Sequence, residues 1–525
     1  MGRKKIEVLV SAFRDGFQTI LDGKVITKDF LPAIEAAKNV GLSRFEIGGG
    51  ARFQSSFLYC NENAFDMMDA VRETVGSQAE LQTLSRSINL VGTGTQPLEI
   101  IDLQAKLFKK HGITCIRNFD ALNNLDNLKL SGRSIVNYGL DHQIGITLME
   151  FPEGFSKLYD VSYYEKLLNG ILDKDIPYNS ICFKDTIGTT NPRKVYEIMK
   201  MAKRILPSKV PLWFHTHETA GLSVSSYLSA IEAGVDGIDL SLAPVAGGIS
   251  QPSVLTLLKA LKGSEFDLGF DAHKIAEVEE IFCHCLEDYI LAPEAFQVSN
   301  WIWAIPLPGH TINSGMKLLK REGLLSKIPE FRAELLDVIS KSGCGAAVAP
   351  FSRFYFNQVL NNLLHGAWRK IDPGYARLIL GYFGELPSKP DQKVIELVAD
   401  YYGMKSYQGN PLDMAEKDPM KGIKAAKQML NVEQLEETEE NIFIVASCGE
   451  KGIRFLKGEA LTDVPKRLKR EQVDPELVPD GYTVSVNGTD YGVVVEESAV
   501  VVNGKKYSIE ITEGVTPAHA VPDDN

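Results

Sequence analysis

The chain has 525 residues, 44% hydrophobic and 24% charged, a balance suited to a globular protein with one large core and one or two additions. With 56 Lys+Arg against 68 Asp+Glu the formal charge is -12, which argues against a sequence-independent grip on nucleic acid. No apolar run reaches about 18 residues, MGRKKIEVLV lacks a signal-peptide cleavage pattern, and seven cysteines lie without regular spacing. A cytoplasmic protein with reduced thiols is expected.

In chain order, short runs rich in β-branched and apolar residues alternate with segments of helical period. The strand-like runs are 6–13, 44–49, 81–86, 115–120, 144–150, 179–185, 211–217 and 237–243, separated by helix candidates such as LPAIEAAKNVG and NPRKVYEIMKMAKRIL. Asn191-Pro192 supplies one helix with an N-cap and a first-turn proline. Eight such units over about 250 residues predict an α/β fold, a (β/α)8 TIM barrel, across 1–265. A doubly wound sheet is the rival, but no Gly-rich dinucleotide fingerprint follows the first run. Residues 266–460 read as an α-helical extension and 461–480 as a charged linker. Alternating residues with two Asn-Gly turns make 481–512 a small β-hairpin tail, and 513–525 a disordered end.

The C-terminal strand ends of such a barrel carry its chemistry. Here they present Arg14-Asp15, Glu46, Arg86, Arg117 with Asp120, Glu150, Lys184-Asp185, His215-Thr216-His217 and Asp239. The opposite rim reads as less charged. His215 and His217 are two apart on a strand and share a face. With Asp15 they make a candidate divalent metal site, its mixed donors suiting zinc, manganese or cobalt. The alternative is one ligand-free inward histidine and one bonded to the backbone. The stretch SLAPVAGGISQPSV (241–254) offers close backbone approach at Gly247 and Gly248 and hydrogen bonds from Ser250, Gln251 and Ser253, yet places Ile249 at its centre. Cys283-His284-Cys285 falls in a helical run where neighbours face different ways, so these read as core cysteines rather than ligands.

The motifs FRDGFQ, RNFDALNNLDNL, FKDTIGTTNP, HTHETAGLSVSSYLSAIEAGVDGIDLSLAP, GGISQPS and PLPGHTINSGM resemble the carboxyltransferase subunits and domains of biotin-dependent enzymes. These include pyruvate carboxylase, oxaloacetate decarboxylase and transcarboxylase, and the likeness is greatest to the carboxyltransferase subunit of two-subunit pyruvate carboxylases. The resemblance implies carboxyl transfer between carboxybiotin and a 2-oxo acid, pyruvate or oxaloacetate first, through a metal-stabilised enolate. It implies Asp15, a carboxylated Lys184, His215 and His217 as metal ligands. Lys184 as an ordinary lysine paired with Asp185 is the other reading. Gln18 and Arg86 match residues that contact substrate; Arg14, Arg52, Gly248 and Gln251 complete the candidate contacts, and Lys184, Arg86, Gln18, Ile249 and Ser250 the candidate catalytic set. Biotin would come from a carrier domain or subunit outside this chain, since no Ala-Met-Lys-Met turn occurs. Further partners implied are a biotin carboxylase subunit or membrane decarboxylase subunits, and a second copy in a homodimer.

The chain departs from that pattern at Ile249, where the family has a proton-relaying threonine, and at Ile187, His310 and Ala349. These departures are expected to cluster in the pocket. They raise three alternatives: another acceptor such as 2-oxoglutarate, a degenerate metal-binding scaffold, or an aldol-type lyase or synthase of a related barrel.

Overall fold

A computed structural model describes residues 3–150, 158–298 and 305–467, and four strands between 482 and 508. The chain forms two compact units, Met1–Lys466 and Arg467–Asn525. The first contains a closed parallel barrel of β1 (Glu7–Val10), β2 (Arg44–Glu46), β3 (Glu80–Ser85), β4 (Cys115–Phe119), β5 (Asp141–Thr147), β6 (Ser180–Asp185), β7 (Leu212–Thr216) and β8 (Gly237–Leu240). Closure comes from β8 pairing with β1 in the register Glu7↔Gly237 to Val10↔Leu240. Covered by helices outside and filled inside, these strands are almost continuously buried, as parallel strands must be. Asn124, Asp160 and Asn191 cap the helices that follow β4, β5 and β6.

The barrel interior is charged. Arg117 on β4 and Asp239 on β8 lie on opposite sides of an eight-stranded barrel, and their ion pair crosses it with both side chains fully buried. Arg14, just past β1, pairs with Asp15 and with Glu46 of the adjacent β2, all three side chains buried. A small apolar cluster of Leu9, Cys182 and Trp213 packs there; Gly237 is required beside Trp213, because a Cβ would meet its ring at 2.5 Å. Contrary to the sequence reading, the N-terminal mouth is charged as well. Glu7, Arg44, Glu80 and Asp141 line a cavity of about 430 Å³ there, because each stands at the first position of its strand, β1, β2, β3 and β5.

The helical extension does not stand apart from the barrel. Phe282 packs on Phe13 at 5.2 Å, Phe443 on Phe53 at 5.5 Å and Phe455 on Phe57 at 4.9 Å, so one apolar core runs through 3–466. Cys283 is exposed and Cys285 half-buried, so the first is no core cysteine; its side chain lies on the solvent face of the helix Ala272–Cys285. In the second unit β9 (Tyr482–Val486), β10 (Thr489–Glu496), β11 (Ala499–Val502) and β12 (Lys505–Ser508) form an antiparallel meander. The strands pair in sequence order; the two Asn-Gly pairs at 487–488 and 503–504, with 468–481 and 509–525, lie outside the described residues. Among the described residues no helix is long and apolar enough to cross a membrane.

Replacing Arg117 by Leu strands the Asp239 carboxylate inside the barrel. Urea unfolding is expected to show a loss of about 3–5 kcal/mol, against less than about 1 kcal/mol for loss of the exposed Arg193–Glu197 pair.

Candidate active site

Three strand ends bring the four predicted ligand residues together. Asp15 sits on the wide turn Ala12–Gly16 just past β1, and Lys184 lies near the end of β6. The β6–β7 register sets Lys184 beside His215. His215 and His217 share the inward face, while Thr216 points the other way, its hydroxyl on Asp185 at 3.4 Å.

Each imidazole is oriented from behind. Nδ1 of His215 lies 2.7 Å from Asp239, and Nδ1 of His217 lies 2.6 Å from the carbonyl of Ile249. A carbonyl oxygen only accepts, so His217 donates from Nδ1. Burial opposes ionisation of Asp239, but Arg117 and His215 hold it well below the usual carboxylate range, so His215 also donates from Nδ1. Burial and the charge of Lys184 push His215 down from the ordinary imidazole value, which keeps it neutral. Lys184 Nζ and Gln251 Nε2 carry only hydrogens and stand 3.0 Å from Nε2 of His215 and of His217, so both Nε2 atoms present lone pairs, and they face one another at 3.0 Å.

Asp15 Oδ2 stands 3.2 Å and 3.4 Å from the two Nε2 atoms, and Lys184 Nζ 3.3 Å from Oδ2 and 3.0 Å from His215 Nε2. These spacings approach the edge of roughly 3.3 Å that a tetrahedron has when its ligands sit at about 2.0–2.1 Å. Burial opposes the Asp15 charge, yet Arg14 and Lys184 hold its carboxyl well below the usual range. Gln251 completes the group: its Oε1 accepts from Ser11 at 2.7 Å, which aims Nε2 at Asp15 and His217, 3.0 Å from each. Peripheral donors from Lys184 and Gln251 do not remove the repulsion between two facing lone pairs; a divalent cation does. The donor set fits such an ion.

A cavity with about 40 Å³ open to the centre of a water-sized sphere adjoins this cluster. Asp15, Lys184 and His217 form one wall. Arg14, Gln18, Thr19, Arg86 and Thr186 continue it, and Pro308, His310, Val348 and Ala349 reach in from the extension. Arg86 bonds the carbonyls of Val91 and Gly92. Among the described residues it has no carboxylate partner, and its Nε is unpaired. Burial and then Arg14 push it down to about 10, so it stays charged at neutral pH and faces the cavity as a cation seeking an anion. Burial pushes His310 down to about 4.

Other expected contacts lie elsewhere. Arg52 is fully buried with its guanidinium on the carbonyls of Gly23 and Val25, at 2.6 Å and 2.7 Å, and is not part of the cavity wall. It ties down a loop. Ser250 is buried with its hydroxyl directed at Gln251, and Gly248 packs against Ala295. Of the four departures only His310 and Ala349 line the cavity. Ile187 is buried in the core. Ile249 lies beneath Gly309, where an added Cβ would meet its Cγ2 at 2.4 Å. Asp185 is spent on the loop after β6, accepting from the amides of Ile187, Gly188 and Thr190, which leaves Lys184 to the cluster. The sequence pattern assigned no role to Asp239, although its rim position signalled one, nor to Thr186, although it lies in the FKDTIGTTNP motif.

The barrel with its helical extension is the carboxyltransferase fold. The solved carboxyl transferase domain of Rhizobium etli pyruvate carboxylase superposes with a TM-score of 0.79 at 20% identity, over 98% of this chain and 89% of that one. A family model described as HMGL-like matches residues 165–282, and one described as a conserved carboxylase domain matches 302–514. A pyruvate carboxylase subunit of Methanocaldococcus jannaschii is 28% identical over 495 residues, 94% of this chain and 84% of that protein. The 2-oxoglutarate carboxylase large subunit of Hydrogenobacter thermophilus is 28% identical over 528, covering 99% and 77%. The methylmalonyl-CoA carboxyltransferase 5S subunit of Propionibacterium freudenreichii is 24% identical over 505, covering 94% and 98%. The chain is a carboxyltransferase that carries an HMGL-like and a conserved carboxylase domain and is similar to subunits of pyruvate carboxylase and transcarboxylase.

Asp15→Asn removes the one carboxylate of the cluster while keeping its shape. Chelator competition is expected to show divalent-ion affinity falling by more than the roughly 10–100-fold that loss of an outer hydrogen-bond partner costs. In the unsubstituted protein affinity should fall as pH drops, because protons compete for the histidine and aspartate ligands.

Proposed function

We propose that this carboxyltransferase moves a carboxyl group between carboxybiotin and a 2-oxo acid, with pyruvate and oxaloacetate as the pair. The observation that carries the reading is Arg86, a buried guanidinium without a carboxylate partner, facing a small cavity beside the cluster of Asp15, His215 and His217. A 2-oxo acid brings the missing carboxylate and a neighbouring carbonyl oxygen for the cluster. On the same scale one water takes about 10–15 Å³, so about 40 Å³ suits a molecule of a few heavy atoms.

Asp15, Lys184, His215 and His217 would hold the divalent ion: zinc, manganese or cobalt by donor type. When bound, such an ion supplies Lewis-acid stabilisation of the oxygen on which enolate charge develops. Lys184 is proposed to be carboxylated. Burial pushes its ammonium below the usual value, which exposes the neutral amine that adds CO2. The resulting carbamate replaces a cation, which would repel the metal, with an anionic oxygen ligand. Arg86 and Gln18 orient the acid, and Pro308, His310 and Val348 cover it against water. Biotin arrives on a carrier outside the matched motifs, with a biotin carboxylase or decarboxylase subunit as further partner. The chain is proposed to work as a cytoplasmic homodimer.

A second reading, 2-oxoglutarate as acceptor, is favoured by the similarity to the Hydrogenobacter thermophilus protein. A panel of 2-oxo acids with biotin or an added carrier separates the two. Pyruvate and oxaloacetate should exceed 2-oxoglutarate in kcat/KM by at least about tenfold, a modest share of what a misfitted buried charge costs. Arg86→Gln should raise KM for the acid by about tenfold or more, the worth of one charge-assisted hydrogen bond. No turnover with any 2-oxo acid overturns the reading.

A further inference from the structure

The cavity wall contains few groups that can both take and release a proton. Asp15, Lys184 and His217 are engaged in the ligand cluster, and Arg14 and Arg86 keep their protons throughout. The Thr19 hydroxyl is given to the carbonyl of Asp15 at 2.8 Å. Thr147 and Thr186 offer hydroxyls only. Among the described residues His310 is the one imidazole on the wall outside the cluster.

Its orientation is set by its neighbours. Thr311 Oγ1 donates to Ser352 at 3.2 Å and stands 3.3 Å from His310 Nε2. A hydroxyl has one proton, so Nε2 carries the hydrogen of that contact and Nδ1 carries a lone pair. Among the described residues Nδ1 has no partner. The residue is also held from below. Gly309 rests on Ile249 so closely that no other residue fits, and this contact fixes the start of the helix Gly309–Arg321. Ile249 cannot carry a proton; it seats the side chain that can.

We propose that His310 Nδ1 is the proton carrier between the methyl carbon of the 2-oxo acid and the ureido nitrogen of biotin. This rests on the carboxyl-transfer reading above. In carboxylation the methyl C–H bond breaks, its electron pair enters the enolate, and Nδ1 takes the proton. The nitrogen–carboxyl bond of the ureido ring breaks with its pair left on nitrogen, which receives the proton from Nδ1. The enolate carbon then bonds the freed CO2. Protons and electrons balance with no oxidant or reductant.

The test uses His310→Gln and His310→Gly, with pyruvate as probe. Without biotin, the protein should wash the methyl protons of pyruvate into D2O, followed by NMR. His310→Gln should slow this washout and the full carboxyl transfer by about 100-fold, the lower range of a general acid-base contribution. Pyruvate affinity by calorimetry should change less than about threefold, as expected for a group that carries the proton rather than binds. Added imidazole should restore washout to His310→Gly by at least about tenfold, which a packing role does not predict. Should the glycine variant fail to fold, the glutamine variant decides alone. Wild-type washout with an unimpaired His310→Gln overturns the relay and leaves the carboxyl-transfer reading intact. Loss in His310→Gly without imidazole rescue also overturns it. A wild type that neither washes out protons nor transfers carboxyl with any 2-oxo acid overturns both.

Discussion

Two imidazoles meet with their Nε2 lone pairs 3.0 Å apart, and the architecture of the barrel's C-terminal end follows from forcing that meeting. Asp239 fixes one ring and the carbonyl of Ile249 the other. Asp239 remains charged in a dry interior because Arg117 reaches it across the barrel. The buried ion pair is therefore a positioning device: its desolvation cost is offset by mutual attraction, and its product is a histidine whose outward nitrogen is bare. Arg14 works similarly on the other side, held by Glu46 while it keeps Asp15 ionised. A site assembled on rigid strand ends needs no induced closure to gather its ligands.

Periodicity was enough to place the eight strands and the histidine pair, because a parallel barrel buries both strand faces and a spacing of two leaves no freedom of face. Most observed strands are shorter than the apolar runs, since residues such as Ala12 and Leu242 continue the apolar pattern into rim turns and loops. The charged N-terminal mouth was missed for a related reason: Glu7, Arg44, Glu80 and Asp141 sit at strand starts in the sequence and converge only when the barrel closes. The small meander was legible from its alternation and its Asn-Gly pairs.

Site residues divide by how far their role depends on local chain. Asp15, Lys184, His215 and His217 sit on or beside strand ends, and their convergence follows from barrel topology. Arg52 failed as a substrate contact because its partners, the carbonyls of Gly23 and Val25, belong to a loop whose path no pattern in the sequence fixes. Gln251 moved from substrate contact to the ligand cluster through one hydrogen bond from Ser11, 240 residues away. Ile249 is the sharpest case. An apolar residue in a polar turn reads as a lost catalytic group, yet its side chain is the seat of Gly309 and its carbonyl orients His217. Substitutions that look like decay when taken singly are coupled through contact: Ile249 touches Gly309, and Gly309 carries His310 into the cavity.

In the proposed site the Nε2 atoms of His215 and His217 share one divalent ion with Asp15. X-ray absorption at the edge of the metal that co-purifies with the protein measures this directly. The expected spectrum contains two imidazole nitrogens at about 2.0–2.1 Å with oxygen completing the shell. A coordination shell without imidazole, or a fully active protein with no bound metal, contradicts it.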